Sequence, residues 1–210
     1  MRKFLIFDCD GTLVESEYWC QHGLELKFRD YGINISTEEL IKRFKGIKLD
    51  LILKEISQQF STSFADNFEV EYRALVADLL TQHIEPCPGV LHALEQLKFP
   101  MSVASNGPHS KTLRSLQLTG LDSYFEQHIF SAYDVQAWKP DPRLFLHAAT
   151  QMSAQASECI VIEDSLVGVE AALKAGMHCI YYDPQSLGFK SSQVTIINHM
   201  NQLVEAVTKI

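Results

Sequence analysis

The segment at residues 3–9, Lys-Phe-Leu-Ile-Phe-Asp-Cys, constrains the fold more than any other part of the chain. It is apolar almost throughout, whereas a strand with one solvated face would alternate apolar and polar side chains. A short, continuous apolar run is typical of a strand that is buried on both faces of a parallel sheet. We predict further strands of this kind at 101–105, 128–131, 159–163, 178–182 and 194–198.

Segments with helical periodicity lie between these candidate strands. The apolar spacing predicts helices at about 88–97, 109–117, 141–151, 166–175 and 199–208. Strands that alternate with helices are typical of an α/β domain in which helices cover both faces of a parallel sheet. The sequence therefore predicts a doubly wound parallel sheet.

Residues 17–83 break this alternation and contain no convincing strand. Apolar side chains recur there at helical spacing, and Ser36-Thr37-Glu38-Glu39 has the capping residue and early acids of a helix start. We therefore predict an inserted α-helical cap domain of about four helices at 16–85. The core would then comprise 1–15 and 86–210, with a cleft where the two domains meet.

Composition excludes several classes of partner. The formal net charge of −8 argues against nucleic acid and against anionic membranes, which bind basic surfaces. No apolar stretch approaches the roughly 20 residues that span a bilayer. The five cysteines are odd in number and form no CxxC pair, which disfavours a disulfide framework and a structural zinc site. Asp8 and Asp10 end the first apolar run too early for a signal peptide, so we expect a cytoplasmic protein.

The first predicted strand runs directly into Asp8-Cys9-Asp10-Gly11-Thr12. Ligands of open α/β sheets bind beyond the carboxyl ends of the strands, and a turn at Gly11 would let both carboxylates point into one site. One carboxylate can attack phosphorus, and the other can protonate the leaving alkoxide and later activate water. The alternative is an acidic turn that only caps the following helix.

Two further strand ends carry groups that suit an anion. Ser105 and Asn106 precede a predicted helix, whose first N–H groups form an anion site, although Ser-Asn-Gly is also a common turn. Lys139 lies in Trp138-Lys139-Pro140-Asp141-Pro142, just before another predicted helix start. It can neutralise a phosphate, or it can be an ordinary surface lysine beside a rigid turn.

The strand at 159–163 ends in Glu163 and Asp164, followed by Ser165 and Gly168. Carboxylate oxygens are the hard ligands that Mg²⁺ prefers, and a magnesium site commonly keeps several waters. Together with Asp8, these acids predict a magnesium site. The alternative is a helix cap by Asp164 or Ser165, and both roles are compatible if Ser165 caps while Asp164 binds metal.

As an ordered set, the four strand ends resemble the haloacid dehalogenase superfamily, specifically its phosphatases with a helical cap inserted after the first motif. The matching segments are DCDGTLVES, SVASNG, WKPDP and VIEDSLVG, and with the insertion they cover nearly the whole chain. The resemblance implies a Rossmann-like core, a cap that closes over the substrate, and a phosphorylated small metabolite as substrate. It also implies Mg²⁺ as the cofactor, which Mn²⁺ or another divalent ion can replace.

The resemblance assigns roles residue by residue. It implies that Asp8 is the nucleophile and Asp10 the acid/base. It implies a metal site made of Asp8, the Asp10 carbonyl and Asp164, with Glu163 as a helper. The phosphoryl group would contact Ser105, Asn106 and Lys139.

Within the superfamily, the segments Arg43–Leu49 and Ser131–Trp138 resemble those of bacterial 6-phosphogluconate phosphatases. That resemblance implies that Lys45, Gly46 and Lys48 of the cap meet an anionic or polyhydroxy part of the substrate. A solvated pair of lysines beside a helix end is the alternative.

Two other functions stay open from the sequence. β-Phosphoglucomutases of this superfamily carry a cap histidine twelve residues after the nucleophile, but this chain has Cys20 there, which favours water as the phosphoryl acceptor. The other possibility is a binding module without catalysis, because fold alone never proves activity. Retention of both aspartates, the lysine and the hydroxyl argues against it.

Overall fold

The computed structural model describes residues 3–125, 127–186 and 191–210. The chain divides into two compact units. We call Met1–Glu15 together with Pro86–Ile210 the core unit, and Ser16–Glu85 the helical unit. Nowhere in the described residues does a helix combine the length and the apolar character that a bilayer crossing requires.

The core unit is built on a parallel sheet, which confirms the predicted fold class. In the described residues the sheet has six strands in the order β3-β2-β1-β4-β5-β6. All neighbouring strands pair in parallel. The strands are β1 (Phe4–Phe7), β2 (Met101–Ser105), β3 (Ile129–Ser131), β4 (Cys159–Glu163), β5 (His178–Tyr182) and β6 (Val194–Ile197).

Strand β1 occupies the centre of the sheet, where it is buried on both faces as its apolar run predicts. Phe4 and Ile6 belong to a hydrophobic cluster that includes Phe145, whereas the Phe7 ring lies 5.7 Å from that of Phe125 in an edge-on arrangement. Strand β2 is added on one side of β1 and β4 on the other. The order of strands therefore reverses at β1, and ligands of such sheets bind at this switch point.

The helical unit contains helices only, because its apolar residues recur every three or four positions. In α4 the buried residues Phe68, Tyr72, Val76 and Leu80 form a single stripe. This stripe packs into a hydrophobic cluster with side chains of the other helices of the unit. The helices are α1 (Glu17–Arg29), α2 (Thr37–Phe44), α3 (Leu49–Phe60) and α4 (Phe68–His83).

Helices of the core unit follow the strands nearly as predicted. They are α5 (Val90–Gln96), α6 (His109–Thr119), α7 (Ala132–Val135), α8 (Arg143–Gln151), α9 (Leu166–Lys174) and α10 (Leu203–Lys209). Two details differ from the sequence prediction. The short helix α7 was not predicted, and α10 begins only at Leu203, after a 3₁₀ turn at Met200–Gln202.

Candidate active site

The end of β1 places Asp8 and Asp10 at the carboxyl edge of the sheet. The Asp8 N–H donates to the Ile162 carbonyl at 2.9 Å, so Asp8 continues the pairing of β1 with β4. The chain then turns at Gly11, whose φ of 82° lies in the left-handed region that favours glycine. A Cβ atom at Gly11 would also lie only 2.2 Å from Asp164 Oδ2. Glycine is therefore required both by the turn and by the carboxylate beside it.

Lys139 is buried in direct contact with the first aspartate. Its Nζ donates to Asp8 Oδ1 at 2.5 Å and to Glu163 Oε1 at 2.8 Å. The Lys139 N–H also donates to Asn106 Oδ1 at 2.9 Å, which ties the lysine to the end of β2. Burial alone would lower the pKa of Lys139, but attraction to Asp8 and Glu163 outweighs burial and raises it. The lysine is therefore held in its charged form.

Glu163 uses both carboxylate oxygens within the core unit. Oε1 accepts from Lys139, and Oε2 accepts from the N–H and the hydroxyl of Ser165 at 2.7 and 2.8 Å. Ser165 also caps α9, because its Oγ accepts from the Gly168 N–H at 3.2 Å; from the sequence, a cap by Asp164 or Ser165 was an open alternative. The structure thus shows Glu163 as a partner of Lys139 and Ser165, while its predicted role as a metal ligand stays a prediction.

Asp164 is buried over the turn that follows β1. Thr12 Oγ1 donates to Asp164 Oδ1 at 3.2 Å, a contact that the sequence prediction did not include. Burial raises the pKa of Asp8, the Lys139 ammonium opposes that effect, and the neighbouring charges of Glu163, Asp164 and Asp10 raise the pKa further. The site therefore concentrates negative charge.

The donor set near Asp8 fits a divalent cation. Asp8 and Asp164 supply hard carboxylate oxygens, and the close approach of Asp164 Oδ2 to Gly11 places it beside the backbone that follows Asp10. A positive ion would offset the charge that raises the pKa of Asp8. Across the described ranges, no three His, Cys, Asp or Glu side chains gather as a metal-binding group, so the set we consider adds a backbone carbonyl to two carboxylates.

The loop after β2 is fixed by serine hydroxyls. Ser105 Oγ accepts from the Gly107 N–H at 3.0 Å, and Ser131 Oγ donates to the Gly107 carbonyl at 2.7 Å. Ser131 lies opposite Ser105 in the sheet, so the two hydroxyls hold the loop from neighbouring strand ends. The predicted contacts of Ser105 and Asn106 with a phosphoryl group stay predictions.

Lys111 was missed by the sequence prediction. Its ammonium group forms an ion pair with Asp10 Oδ1. A signal for it exists in the sequence, because Lys111 falls in the first turn of the predicted helix that begins at 109. The helix dipole disfavours a cation in that turn, so a lysine there calls for a compensating anion.

Three predicted residues belong to the helical unit. Lys45 follows the last residue of α2, Gly46 has a φ of 75°, and Lys48 immediately precedes α3. Lys48 Nζ forms an ion pair with Asp50 at 2.6 Å. The proposed contact of these residues with a substrate stays a prediction.

Comparison with known proteins gives consistent results. A family model described as haloacid dehalogenase-like hydrolase matches residues 5–182. A 6-phosphogluconate phosphatase of Escherichia coli (strain K12) is 39% identical over 204 residues, which cover 96% of this chain and 92% of that protein. A phosphorylated carbohydrates phosphatase of Thermotoga maritima is 29% identical over 185 residues, which cover 84% of this chain and 83% of that protein.

A solved structure resembles the whole chain. The crystal structure of a conserved haloacid dehalogenase-like protein of unknown function from Agrobacterium tumefaciens str. C58 superimposes with a TM-score of 0.85 at 30% identity. The match covers 100% of this chain and 99% of that one. The strand order and the inserted helices described above are thus those of a known fold.

Proposed function

Because the chain belongs to the haloacid dehalogenase-like hydrolases and is a phosphatase of that family, we propose that it hydrolyses a small phosphorylated sugar through an aspartyl-phosphate intermediate. The substrate class is supported by two relatives, whose names specify 6-phosphogluconate and phosphorylated carbohydrates. Among sugar phosphates, 6-phosphogluconate is the first candidate, because the relative named for it is 39% identical.

One observation carries this proposal. Two carboxylates, two residues apart at the switch point of the sheet, are each paired with a different lysine: Asp8 with Lys139 and Asp10 with Lys111. A carboxylate held beside a buried ammonium suits attack on an anionic phosphoryl group, because the ammonium offsets the repulsion between the two anions. A second carboxylate nearby suits proton transfer to the leaving group.

In the first step, an Asp8 oxygen attacks phosphorus while the bond from phosphorus to the sugar oxygen breaks. Asp10 gives its proton to the departing alkoxide, so that the sugar leaves as an alcohol. Lys139, Ser105 and Asn106 hold the phosphoryl oxygens during this transfer. The product of the step is an acyl phosphate on Asp8.

In the second step, Asp10 acts as a base. It takes a proton from a water molecule, whose oxygen attacks the phosphorus of the aspartyl phosphate. The bond between phosphorus and the Asp8 oxygen breaks, which releases inorganic phosphate and restores the carboxylate. Asp10 is protonated again at the end of this step, ready for the next ester.

We propose that Asp8, the Asp10 carbonyl and Asp164 hold Mg²⁺, with Glu163 as a helper. When bound, the ion supplies positive charge that draws the nucleophile and the phosphoryl oxygens together. The chain itself contributes the oriented carboxylates, with Thr12 donating to Asp164 at 3.2 Å. Mn²⁺ or another divalent ion with the same preference for oxygen can replace Mg²⁺.

Transfer to a second sugar, as in β-phosphoglucomutases, is the less favoured alternative. Cys20 lies in α1, and its backbone carbonyl accepts from the Tyr72 hydroxyl at 3.3 Å. Its thiol is a poor proton shuttle at neutral pH, where a histidine would serve.

The second alternative is a non-catalytic binding module, which would not need the second carboxylate. Water is therefore the acceptor that we propose.

The test is turnover of p-nitrophenyl phosphate and of 6-phosphogluconate by the purified protein, with Mg²⁺ and with EDTA. Asp8→Asn should abolish turnover and leave the circular dichroism spectrum unchanged, because it removes the nucleophile. Asp122→Asn, in the 3₁₀ turn Asp122–Tyr124, is the matched control and should retain activity. Activity of Asp8→Asn at the wild-type rate would refute the assignment. Activity that EDTA does not affect would refute the metal.

A further inference from the structure

Lys111 contacts the carboxylate that we assign to proton transfer. Its ammonium group lies in the first turn of α6, and its partner Asp10 follows β1, so the ion pair joins two separate parts of the core unit. The lysine and aspartate side chains are 20% and 22% exposed. An exposed ion pair contributes about 0 to 1 kcal/mol, but this pair is largely shielded from water and is screened less.

Lys111 is a cation at a position that the helix dipole disfavours. A helix N-terminus carries partial positive charge, so a cation in the first turn costs about 0.3–1 kcal/mol. The first turn of α6 contains no acidic residue of its own that would offset this effect. Asp10, which comes from a different element, supplies the anion. The ion pair with Asp10 therefore offsets the cost of a lysine in the first turn of α6.

The backbone at Gly107 packs beside both partners. A Cβ atom on Gly107 would lie 3.6 Å from Lys111 Cδ and 3.7 Å from Asp10 Oδ2. The Gly107 carbonyl is in turn fixed by the Ser131 hydroxyl. The lysine stem and the aspartate carboxylate thus lie against a backbone segment that hydrogen bonds hold in place.

We propose that Lys111 is a positioning residue for Asp10: it holds Oδ1, so that Oδ2, which carries the transferred proton in the first step, faces the leaving group. The inference rests on the proposed function, because it needs Asp10 to be the acid/base. In this arrangement the segment from the end of β2 to the first turn of α6 has two tasks. Ser105 and Asn106 serve the phosphoryl group, and Lys111 serves the proton transfer.

The test compares two esters that differ in their need for a proton donor. Phenolate is a stronger base than p-nitrophenolate, so phenyl phosphate depends more on acid catalysis by Asp10. General acid–base catalysis contributes about 10²- to 10⁴-fold, so loss of orientation should remove a measurable part of it. In Lys111→Met we expect kcat/KM, which reports the first step, to fall about tenfold more for phenyl phosphate than for p-nitrophenyl phosphate. Lys111→Arg should restore most of the difference.

Lys174→Met is the matched control. Lys174 is the last residue of α9, at the opposite end of the helix from the Ser165 cap, and it forms an exposed ion pair with Glu170 at 2.7 Å. It should leave both rates unchanged. Wild-type turnover of p-nitrophenyl phosphate, and its loss in Asp8→Asn, report on the proposed function separately. If the wild type is active but Lys111→Met keeps the wild-type ratio of the two rates, the positioning role of Lys111 is wrong while the proposed function stands.

A double-mutant cycle with Asp10→Asn separates positioning from phosphate binding. If Lys111 acts through Asp10, Lys111→Met should change kcat by less than about threefold in the Asp10→Asn background, because coupled residues are not additive. The inhibition constant of inorganic phosphate should stay the same.

A weaker phosphate inhibition that persists in the Asp10→Asn background would make Lys111 a phosphate ligand. Equal losses for both esters with a lower thermal midpoint would make its role structural. Either result overturns the proposal.

Discussion

Gly168 shows how closely the buried charges are packed. It lies in the first turn of α9, and a Cβ atom there would be only 1.8 Å from Glu163 Oε1. The carboxylate that holds Lys139 therefore occupies the space that any side chain at 168 would need. Glycine at this helix position is therefore explained by the Glu163 carboxylate, which also contacts the Lys139 ammonium beside Asp8.

We predict that Gly168→Ala lowers both stability and activity. Alanine is preferred over glycine in helices by about 1 kcal/mol. Forced rearrangement of a well-packed site costs about 1–3 kcal/mol, so the steric effect should win. Displaced Glu163 would also release Lys139. Thermal unfolding and kcat for p-nitrophenyl phosphate measure the two effects. Glu170→Ala, on the same helix but exposed, should be nearly neutral, and a stabilised Gly168→Ala would contradict the packing argument.

At the residue level, the sequence predicted which strand ends carry polar groups but not how these groups pair. Asp8, Lys139 and Glu163 are far apart in the chain, and their contacts depend on the register of β1 against β4. Lys111 escaped prediction for a similar reason, because its partner lies on another element. The sequence shows which residue types follow each strand, whereas the ion pairs between separate segments can be predicted only once the three-dimensional fold is known.

The serine caps of α2 and α9 serve different purposes. Ser36 starts α2 by accepting from the Glu39 N–H at 3.3 Å. Ser165 starts α9 by accepting from the Gly168 N–H, and its hydroxyl also donates to Glu163. The first cap supports only a helix, while the second connects a helix to the buried ion pair with Lys139.

This difference predicts different effects for the same substitution. Ser36→Ala and Ser165→Ala should each destabilise the fold by about 1 kcal/mol, because each removes a helix cap. Only Ser165→Ala should also lower kcat, since Glu163 loses a donor and holds Lys139 less firmly. Denaturant unfolding and turnover of p-nitrophenyl phosphate test the pair. Equal turnover in the two variants would show that the Ser165 hydroxyl has no role beyond the cap.

Strands were more predictable than short helices. The apolar runs located every strand of the described sheet to within about three residues, because buried parallel strands have a distinctive composition. Helix α7 was missed because four residues are too few to show a helical period. The late start of α10 reflects a 3₁₀ turn, whose residues fit the helical pattern equally well.

At the scale of the whole molecule, the charge of −8 is concentrated partly at one edge of the sheet. Asp8, Asp10, Glu163 and Asp164 lie there with two lysines among their partners. A cation that binds the folded chain at this edge offsets the repulsion between the carboxylates. The unfolded chain disperses these carboxylates, so binding should favour the folded state.

We therefore predict that Mg²⁺ raises the thermal midpoint. At a hundredfold excess over the dissociation constant the gain is about 2.7 kcal/mol, which corresponds to a shift of several degrees. Asp164→Asn should lose most of the shift, while Glu205→Gln, an exposed variant in α10, should keep it. Calorimetry at constant ionic strength measures the effect. An unchanged shift in Asp164→Asn would place the ion elsewhere.

The position of β1 also determines the order in which the chain can assemble on the ribosome. Phe4–Phe7 emerges well before its two sheet neighbours, which begin only at Met101 and Cys159. The helical unit at Ser16–Glu85, with its own hydrophobic cluster, is complete before either neighbour has been synthesised. Domains generally fold as units in the order of their synthesis. The inserted domain should thus fold before its host, while β1 can pair on both sides only after Cys159–Glu163 has been synthesised.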